Sequence, residues 1–299
     1  MDAIPKQQFL KVPPDAVRVI RETYNLDKPG RRDEAIKILH EWIQKQEHIV
    51  KKDFSNEYLE RTILACKGSV EKAKQQIDRL CTMKTLMPKF FMKTNVKMEW
   101  VVPLPKLTED NFRVFVDWLV QIFFFHYLFL LIMIFHFQLA EYLKANDYVT
   151  GFIVVDDYRE TNLLELVTKI NTVELQSVSF FQEGYGARLK ALYYLTDSKA
   201  VELLVKVVKQ FLSEKISSRV QVLRTIEDLH RAVPKEILPE EYEGSERSMA
   251  KLHGKKLKKH VEYMKIMNKA CTDETKRNAE KFNEEYMGMP GSFRCLSVD

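Results

Sequence analysis

Residues 122–137 read Ile-Phe-Phe-Phe-His-Tyr-Leu-Phe-Leu-Leu-Ile-Met-Ile-Phe-His-Phe. As a helix, a stretch this apolar has no polar face, so it must be covered on every side or leave an apolar patch in water. Either a bilayer or the rest of the protein can cover it. A bilayer span needs roughly 20 apolar residues. Extending the run back through Trp118, Leu119 and Val120 approaches that length but brings in Gln121, and His126 and His136 interrupt the run itself. Such groups are costly in lipid unless paired, and no strong Lys/Arg bias flanks the run. The expectation is a helix buried in the protein. The alternative is a membrane anchor over residues 118–137, spanning the bilayer or dipping into its surface.

The rest of the chain, 299 residues in all, has enough length for one large domain and a smaller one. Its first hundred residues carry helical periodicity. In 31–50, Ala35, Ile36, Ile38, Leu39, Trp42 and Ile43 share one face, with Pro29 and Gly30 marking the turn before it and Asp33 a candidate N-cap. A second helix is predicted over 56–66. Gly68 breaks it, Ser69 caps a third over 70–83, and Pro88 closes that one. From 100 onward the pattern changes. Residues 101–105 read as an extended connector. Residues 112–116, 148–155, 191–195 and 220–223 read as strands, with helical patterns over 163–170 and 201–211. Strands alternating with helices predict an α/β layer with a mostly parallel sheet. The predicted organisation is an N-terminal helical domain over 1–95, the α/β domain over 96–250, and a charged C-terminal helix and tail over 251–299.

Several function classes are disfavoured. The net charge of +5 is spread over many residues, and no arginine stripe, basic-aromatic interleaving or finger spacing supports nucleic-acid binding. Cys66, Cys81, Cys271 and Cys295 form no C-x-x-C pair. With no secretory signal at the N-terminus, free thiols point to the cytosol. An enzyme is not expected. There is no nucleophile elbow, P-loop or dinucleotide fingerprint. His40-Glu41-Trp42-Ile43-Gln44 begins like a zinc-protease helix, but Gln44 stands where the second histidine ligand belongs. Asp156 and Asp157 follow a strand and read as turn or cap residues.

Three segments carry a likeness. Residues 209–220 read Lys-Gln-Phe-Leu-Ser-Glu-Lys-Ile-Ser-Ser-Arg-Val, residues 182–190 read Gln-Glu-Gly-Tyr-Gly-Ala-Arg-Leu-Lys, and residues 238–244 read Leu-Pro-Glu-Glu-Tyr-Glu-Gly. In this order they resemble the CRAL-TRIO lipid-binding family, in particular the insect form of its alpha-tocopherol transfer protein and cellular retinaldehyde-binding protein branch. Val70-Glu71-Lys72-Ala73 is similar to the end of that family's helical N-terminal domain. Leu104-Pro105 with Thr108-Glu109-Asp110 fits the start of its lipid domain, and residues 291–299 resemble the insect tail. The chain departs from the family pattern at Gly186, where proline is usual, and at Glu243, where a glycine is usual. Leu64-Ala65-Cys66-Lys67 replaces a more basic segment, and 115–144 is apolar where the family has a polar loop and an amphipathic helix.

The resemblance implies a small helical domain followed by a CRAL-TRIO domain whose mostly parallel sheet is flanked by helices. It implies a monomeric, non-enzymatic carrier that is cytoplasmic and peripherally bound to membranes. Such a carrier has no cofactor beyond one hydrophobic lipid in a buried pocket. It implies Phe180, Phe181, Tyr193, Val205, Val208, Phe211 and Leu212 as pocket and gate residues, although each could equally be plain core. It also implies that Arg188, Lys190, Lys215 and Arg219 bind a phosphatidylinositol bisphosphate headgroup. Residues two apart in a strand, or four apart in a helix, share a side, so each pair can present two charges to phosphate. Without the resemblance they read as solvated surface charges. Lys255, Lys256, Lys258 and Lys259 form a further basic run, either a solvated helix face or an attraction for an anionic leaflet. Tocopherol, retinoid, carotenoid, sterol and phospholipid ligands are not distinguished.

Overall fold

The computed structural model describes residues 10–91, 101–118, 125–160, 184–186, 188–210, 214–253 and 269–277, without side-chain descriptions at 125–133, 135, 204, 207, 208 and 253. The N-terminal part is helical as the periodicity predicts. Helix α1 (Pro14–Thr23) starts with proline at its first position, where the missing N–H is not needed. Helix α2 (Arg31–Lys45) is capped by Gly30 in the left-handed conformation, φ 77°. Gly30 thus takes the place expected for Asp33, which lies in the first turn and accepts from Arg32 at 3.0 Å. The helix ends short of residue 50 because Val50 turns away to bond the Cys271 carbonyl at 3.0 Å. Helix α3 (Asn56–Ala65) is capped by Ser55 and α4 (Val70–Leu86) by Ser69, whose hydroxyl accepts from the Lys72 amide. Ile20, Leu39, Ile43, Leu59, Ile63, Ile77 and Leu80 close the core between them.

A five-stranded sheet follows, in the order β1 (Val101–Leu107), β2 (Phe112–Trp118), β3 (Gly151–Asp157), β4 (Leu189–Leu195) and β5 (Val220–Leu223). Strands β2 to β5 are parallel and β1 pairs antiparallel with β2. The segment expected as a connector is therefore a strand. Pro103 and Pro105 disguise it in the sequence. They are tolerated because β1 is an edge, where missing amide donors break no ladder. The register shifts between Pro103 and Leu107, and the Lys11 amide bonds the Pro105 carbonyl at 2.7 Å.

One face of the sheet is a dry core. Val102, Leu104, Val114, Val116, Ile153, Val155, Ala191 and Leu195 pack against residues from the helical segments that follow β5. The opposite face is covered at its two sides by different helices. Helix α5 (Phe125–Asn146) packs Leu139 and Leu143 beside Val101 and Phe115. Helix α6 (Lys199–Lys209) packs Val201 and Val205 on Val220.

Helix α5 contains residues 125–137 of the apolar run, and its described side chains from Ile134 onward face two cores. On one side Leu139 and Leu143 face the sheet. On the other, Ile134, Phe137 and Ala140 join the N-terminal core. Phe137 lies 5.1 Å from Phe91, 5.4 Å from Phe90 and 5.9 Å from Tyr185, ring centre to ring centre. His136 finds a partner in Asp117 at 2.9 Å. Among the described residues no helix is long and apolar enough to cross a membrane.

The end of α5 is pinned by a fully buried ion pair. The Arg113 guanidinium on β2 donates to both oxygens of Asp147, at 2.8 and 2.9 Å, and to the carbonyls of Leu104 and Pro105 on β1, at 2.9 and 2.6 Å. One side chain thus ties β1, β2 and the chain leaving α5. Removing one partner of such a pair leaves a buried charge uncompensated, which costs ~3–5 kcal/mol. Arg113→Met is expected to lower unfolding free energy by about that amount in urea titration. Adding Asp147→Leu should recover most of the loss, because it removes the orphaned carboxylate.

Candidate functional site

Among the described residues, α5 over β2 and α6 over β5 leave the centre of the sheet only half covered. Along β3 the residues of the dry face, Gly151, Ile153, Val155 and Asp157, are buried. Their alternates Phe152, Val154 and Asp156 are half-buried. On β4 and β5, Leu192, Tyr194 and Val222 are also half-buried on this side. Apolar side chains at the middle of a parallel sheet are ordinarily closed over from both faces. Among the described residues, such side chains are covered only in part here, between two helices.

Polar groups gather at the carboxyl ends of these strands, where open α/β sheets place their ligands. Asp117 and Asp156 are register partners on β2 and β3. The Asp117 Oδ2 meets His136 Nε2 at 2.9 Å, and its Oδ1 is buried without a hydrogen-bond partner. Burial, and then the neighbouring Asp117 charge, push the Asp156 carboxyl well above the usual range, while His136 opposes the shift. Two adjacent carboxyls do not readily ionise together. Tyr158 and Tyr194 stand beside them with ring centres 5.6 Å apart, and burial followed by the Asp156 charge keeps both hydroxyls protonated. The turn role expected of both aspartates belongs to Asp157 alone. It accepts from the Arg159 amide at 3.1 Å and from the Tyr242 hydroxyl at 3.0 Å. Asp156 instead faces Asp117 across the strands.

The expected pocket residues are placed unequally. Val205 lies on α6 against the sheet, and Val208 belongs to the same helix. Tyr193 packs at the margin of the dry core, on the opposite face from the half-covered strip. Its neighbours Leu192 and Tyr194 point into the strip. Strand alternation carried that signal, since Ala191 and Leu195 mark the dry face and Tyr193 shares their parity. Phe180, Phe181, Phe211 and Leu212 lie outside the described residues.

The four basic residues each have a describable placement. The Arg188 guanidinium donates to the Tyr24 hydroxyl and lies 5.2 Å from the centre of that ring. It therefore docks the sheet on α1 and the turn after it. The exposed Lys190 has its ammonium 5.3 Å from the Phe112 ring centre. The β3–β4 register skips Lys190, pairing Phe152 with Leu189 and Ile153 with Ala191. Lys215 is exposed on the short helix α7 (Glu214–Ser217), and the half-buried Arg219 donates to the Leu189 carbonyl. The basic run at 255–259 lies outside the described residues. Among the described residues no cluster of three or more His, Cys, Asp or Glu could hold a metal ion.

Comparison with known proteins agrees with this architecture. A domain described as "CRAL/TRIO domain" matches residues 111–244, and one described as "Pinta-like, UBA domain" matches residues 28–101. The chain thus carries a CRAL/TRIO domain preceded by a UBA-like helical region. Proteins named alpha-tocopherol transfer protein-like from Homo sapiens, Mus musculus and Pongo abelii are each 26% identical over 98 residues. The match covers 32% of this chain and only 29% of each relative. The solved structure titled "Crystal structure of Sfh5" aligns over 86% of this chain and 98% of its own, at 14% identity and a TM-score of 0.44.

Both single-residue departures from the family pattern have a local geometry. Gly186 has φ 61°, and a Cβ there would sit 2.0 Å from the Gln76 side-chain nitrogen. Proline holds φ near −65°, so the usual family residue does not fit this turn. Glu243 has φ 54°, the left-handed conformation that glycine adopts freely. Its contact with Lys235 is exposed and 3.8 Å long, which adds little. Gly186→Pro is expected to lower the thermal midpoint sharply. Glu243→Gly should raise stability by about 0.5–1 kcal/mol, since left-handed backbone costs a side-chain-bearing residue roughly 1–2 kcal/mol and the added chain entropy of glycine offsets part of the relief. Calorimetry on both variants checks the pair of opposite signs.

Proposed function

We propose that this chain holds one hydrophobic lipid against the half-covered face of its sheet and carries it between membranes. The observation that supports this most is the strip formed by Phe152, Val154, Leu192, Tyr194 and Val222, apolar and half-buried between α5 and α6. A lipid laid along it would remove apolar surface on both partners from water, worth roughly 25 cal/mol per Å². The CRAL/TRIO domain, and relatives whose name refers to tocopherol transfer, favour the same reading. In this reading the relevant branch is that of alpha-tocopherol transfer protein and cellular retinaldehyde-binding protein, in its insect form.

The proposed route of exchange is α6. Its inner face meets the sheet through Val201 and Val205, while Leu203 projects outward at 65% exposure. Swinging α6 away would open the strip, and Leu203 would meet the bilayer. Val208, Phe211, Leu212, Phe180 and Phe181 are proposed to line the same route. The protein is proposed to act as a cytoplasmic monomer that docks peripherally on phosphoinositide membranes. Lys215 and Arg219 are the proposed phosphate contacts, with Lys190 beside them. Arg188 is the weakest member of that set because Tyr24 already engages it.

Native mass spectrometry of the purified protein is expected to show about one lipid per chain. A chain that carries no small molecule and takes none up from liposomes overturns the proposal. Charge-assisted hydrogen bonds to phosphate contribute ~1.5–3 kcal/mol each. The pair Lys215→Ala with Arg219→Ala is therefore expected to weaken binding to phosphatidylinositol bisphosphate liposomes about tenfold or more, with lipid content unchanged. Unaltered liposome binding would place the headgroup contact elsewhere.

A further inference from the structure

We propose that Asp117 reads the polar end of the bound lipid, and that this chain therefore selects a lipid whose head donates a hydrogen bond, an alcohol or an amine, over one whose head is a carboxylate. The inference rests on the lipid-carrier reading above and specifies the ligand class for that same site.

Hydrogen-bond donors and acceptors do not balance at this end of the sheet. Two carboxyls, Asp117 and Asp156, lie side by side at the carboxyl ends of β2 and β3, both on the half-covered face. Between them they offer four acceptor oxygens. His136 supplies an N–H to one of them, Asp117 Oδ2. The raised Asp156 carboxyl brings one proton of its own. Wherever that proton sits, acceptors remain in excess. The Asp117 side chain is only 6% exposed, and its Oδ1 has no hydrogen-bond partner. The protonated Asp156 carboxyl is itself hydrogen-bonded to Asp117, so the pair has one proton to share among its remaining oxygens, and an arriving donor relieves that shortage.

The surroundings favour a lipid head over a free polar solute. The apolar strip leads to the acids along β3, through Phe152 and Val154, and along β4, through Leu192 and Tyr194. A ligand lying on that strip brings its end group to Asp117 and Asp156. A hydroxyl or ammonium head satisfies Oδ1. A carboxylate head adds a second negative charge beside the one that the Asp117–Asp156 pair already carries, which like-charge repulsion disfavours. Sites built to hydrogen-bond a particular group reject analogues lacking it far more strongly than apolar pockets reject a missing methylene.

The test is competitive loading. Protein is incubated with liposomes containing equal amounts of 1-hexadecanol and hexadecanoic acid, and native mass spectrometry reads the ratio bound. Wild type is expected to take up the alcohol at least tenfold over the acid. Asp117→Asn replaces the free acceptor by an amide that can also donate, and the ratio should fall about tenfold. Asp156→Asn keeps the Asp117–His136 contact and offers Asp117 Oδ1 an internal amide donor, so it too should reduce the preference even if Asp117→Asn folds poorly. Near-UV circular dichroism verifies the fold of each variant. Equal uptake of the two probes by wild type, or an unchanged ratio in a folded variant, overturns the inference and leaves the carrier reading standing. Uptake of neither probe, nor of any liposome lipid, overturns the carrier reading and the inference together.

Discussion

The structure depends on one helix being internal to two cores. From Ile134 onward, α5 gives Leu139 and Leu143 to the sheet and Ile134, Phe137 and Ala140 to the N-terminal helices. A helix enclosed by protein on both sides needs no polar face. Its few polar groups are correspondingly specified. Glu141 is buried, pairs with Lys84 and accepts from the Tyr185 hydroxyl at 2.9 Å. Burial lowers the Lys144 ammonium to about 8, and it lies 5.3 Å from the Tyr58 ring centre. Arg61 on α3 donates to the carbonyls of Lys144 and Ala145, occupying acceptors that a helix end leaves without intrahelical partners.

The chain also returns to this junction from far downstream. Residues 269–277 lie along the N-terminal helices. Ala270 enters their core, and the Thr272 amide bonds the Thr85 hydroxyl at 2.8 Å. Arg277 donates to both oxygens of Asp78 at 3.0 Å, the same carboxylate that His48 meets at 2.8 Å. The helical unit is thus completed by residues nearly two hundred positions away from it in sequence, and it holds the sheet on its other side through Arg188 and Tyr24.

Local signals were legible in the sequence and long-range ones were not. Ser69 announces the start of α4 by its own chemistry, and the hydrophobic period marks α2 and α3. The apolar run states its own need to be covered. The ordered motifs then locate the α/β domain. Strand β1 stayed hidden because prolines at 103 and 105 argue against a strand until one knows it lies at an edge. Arg113 and Asp147 stand 34 positions apart, and nothing local distinguishes their pairing from two surface charges. The same holds for Asp117 with His136, which looked only like a polar interruption of an apolar stretch. Tyr193 and Tyr194 differ by one position, and strand parity alone decides which of them faces the strip.

A sheet with a free edge strand must be kept from recruiting other chains. Pro103 and Pro105 withhold two amides along the outer margin of β1, and Lys11 occupies the Pro105 carbonyl. Exposed strand margins are templates for intermolecular pairing, and natural proteins blunt them with proline, charge or a covering segment. Along β1 the first and last of these devices are both present. Fibril-like growth is therefore obstructed on that flank, whatever occupies the sheet's apolar face.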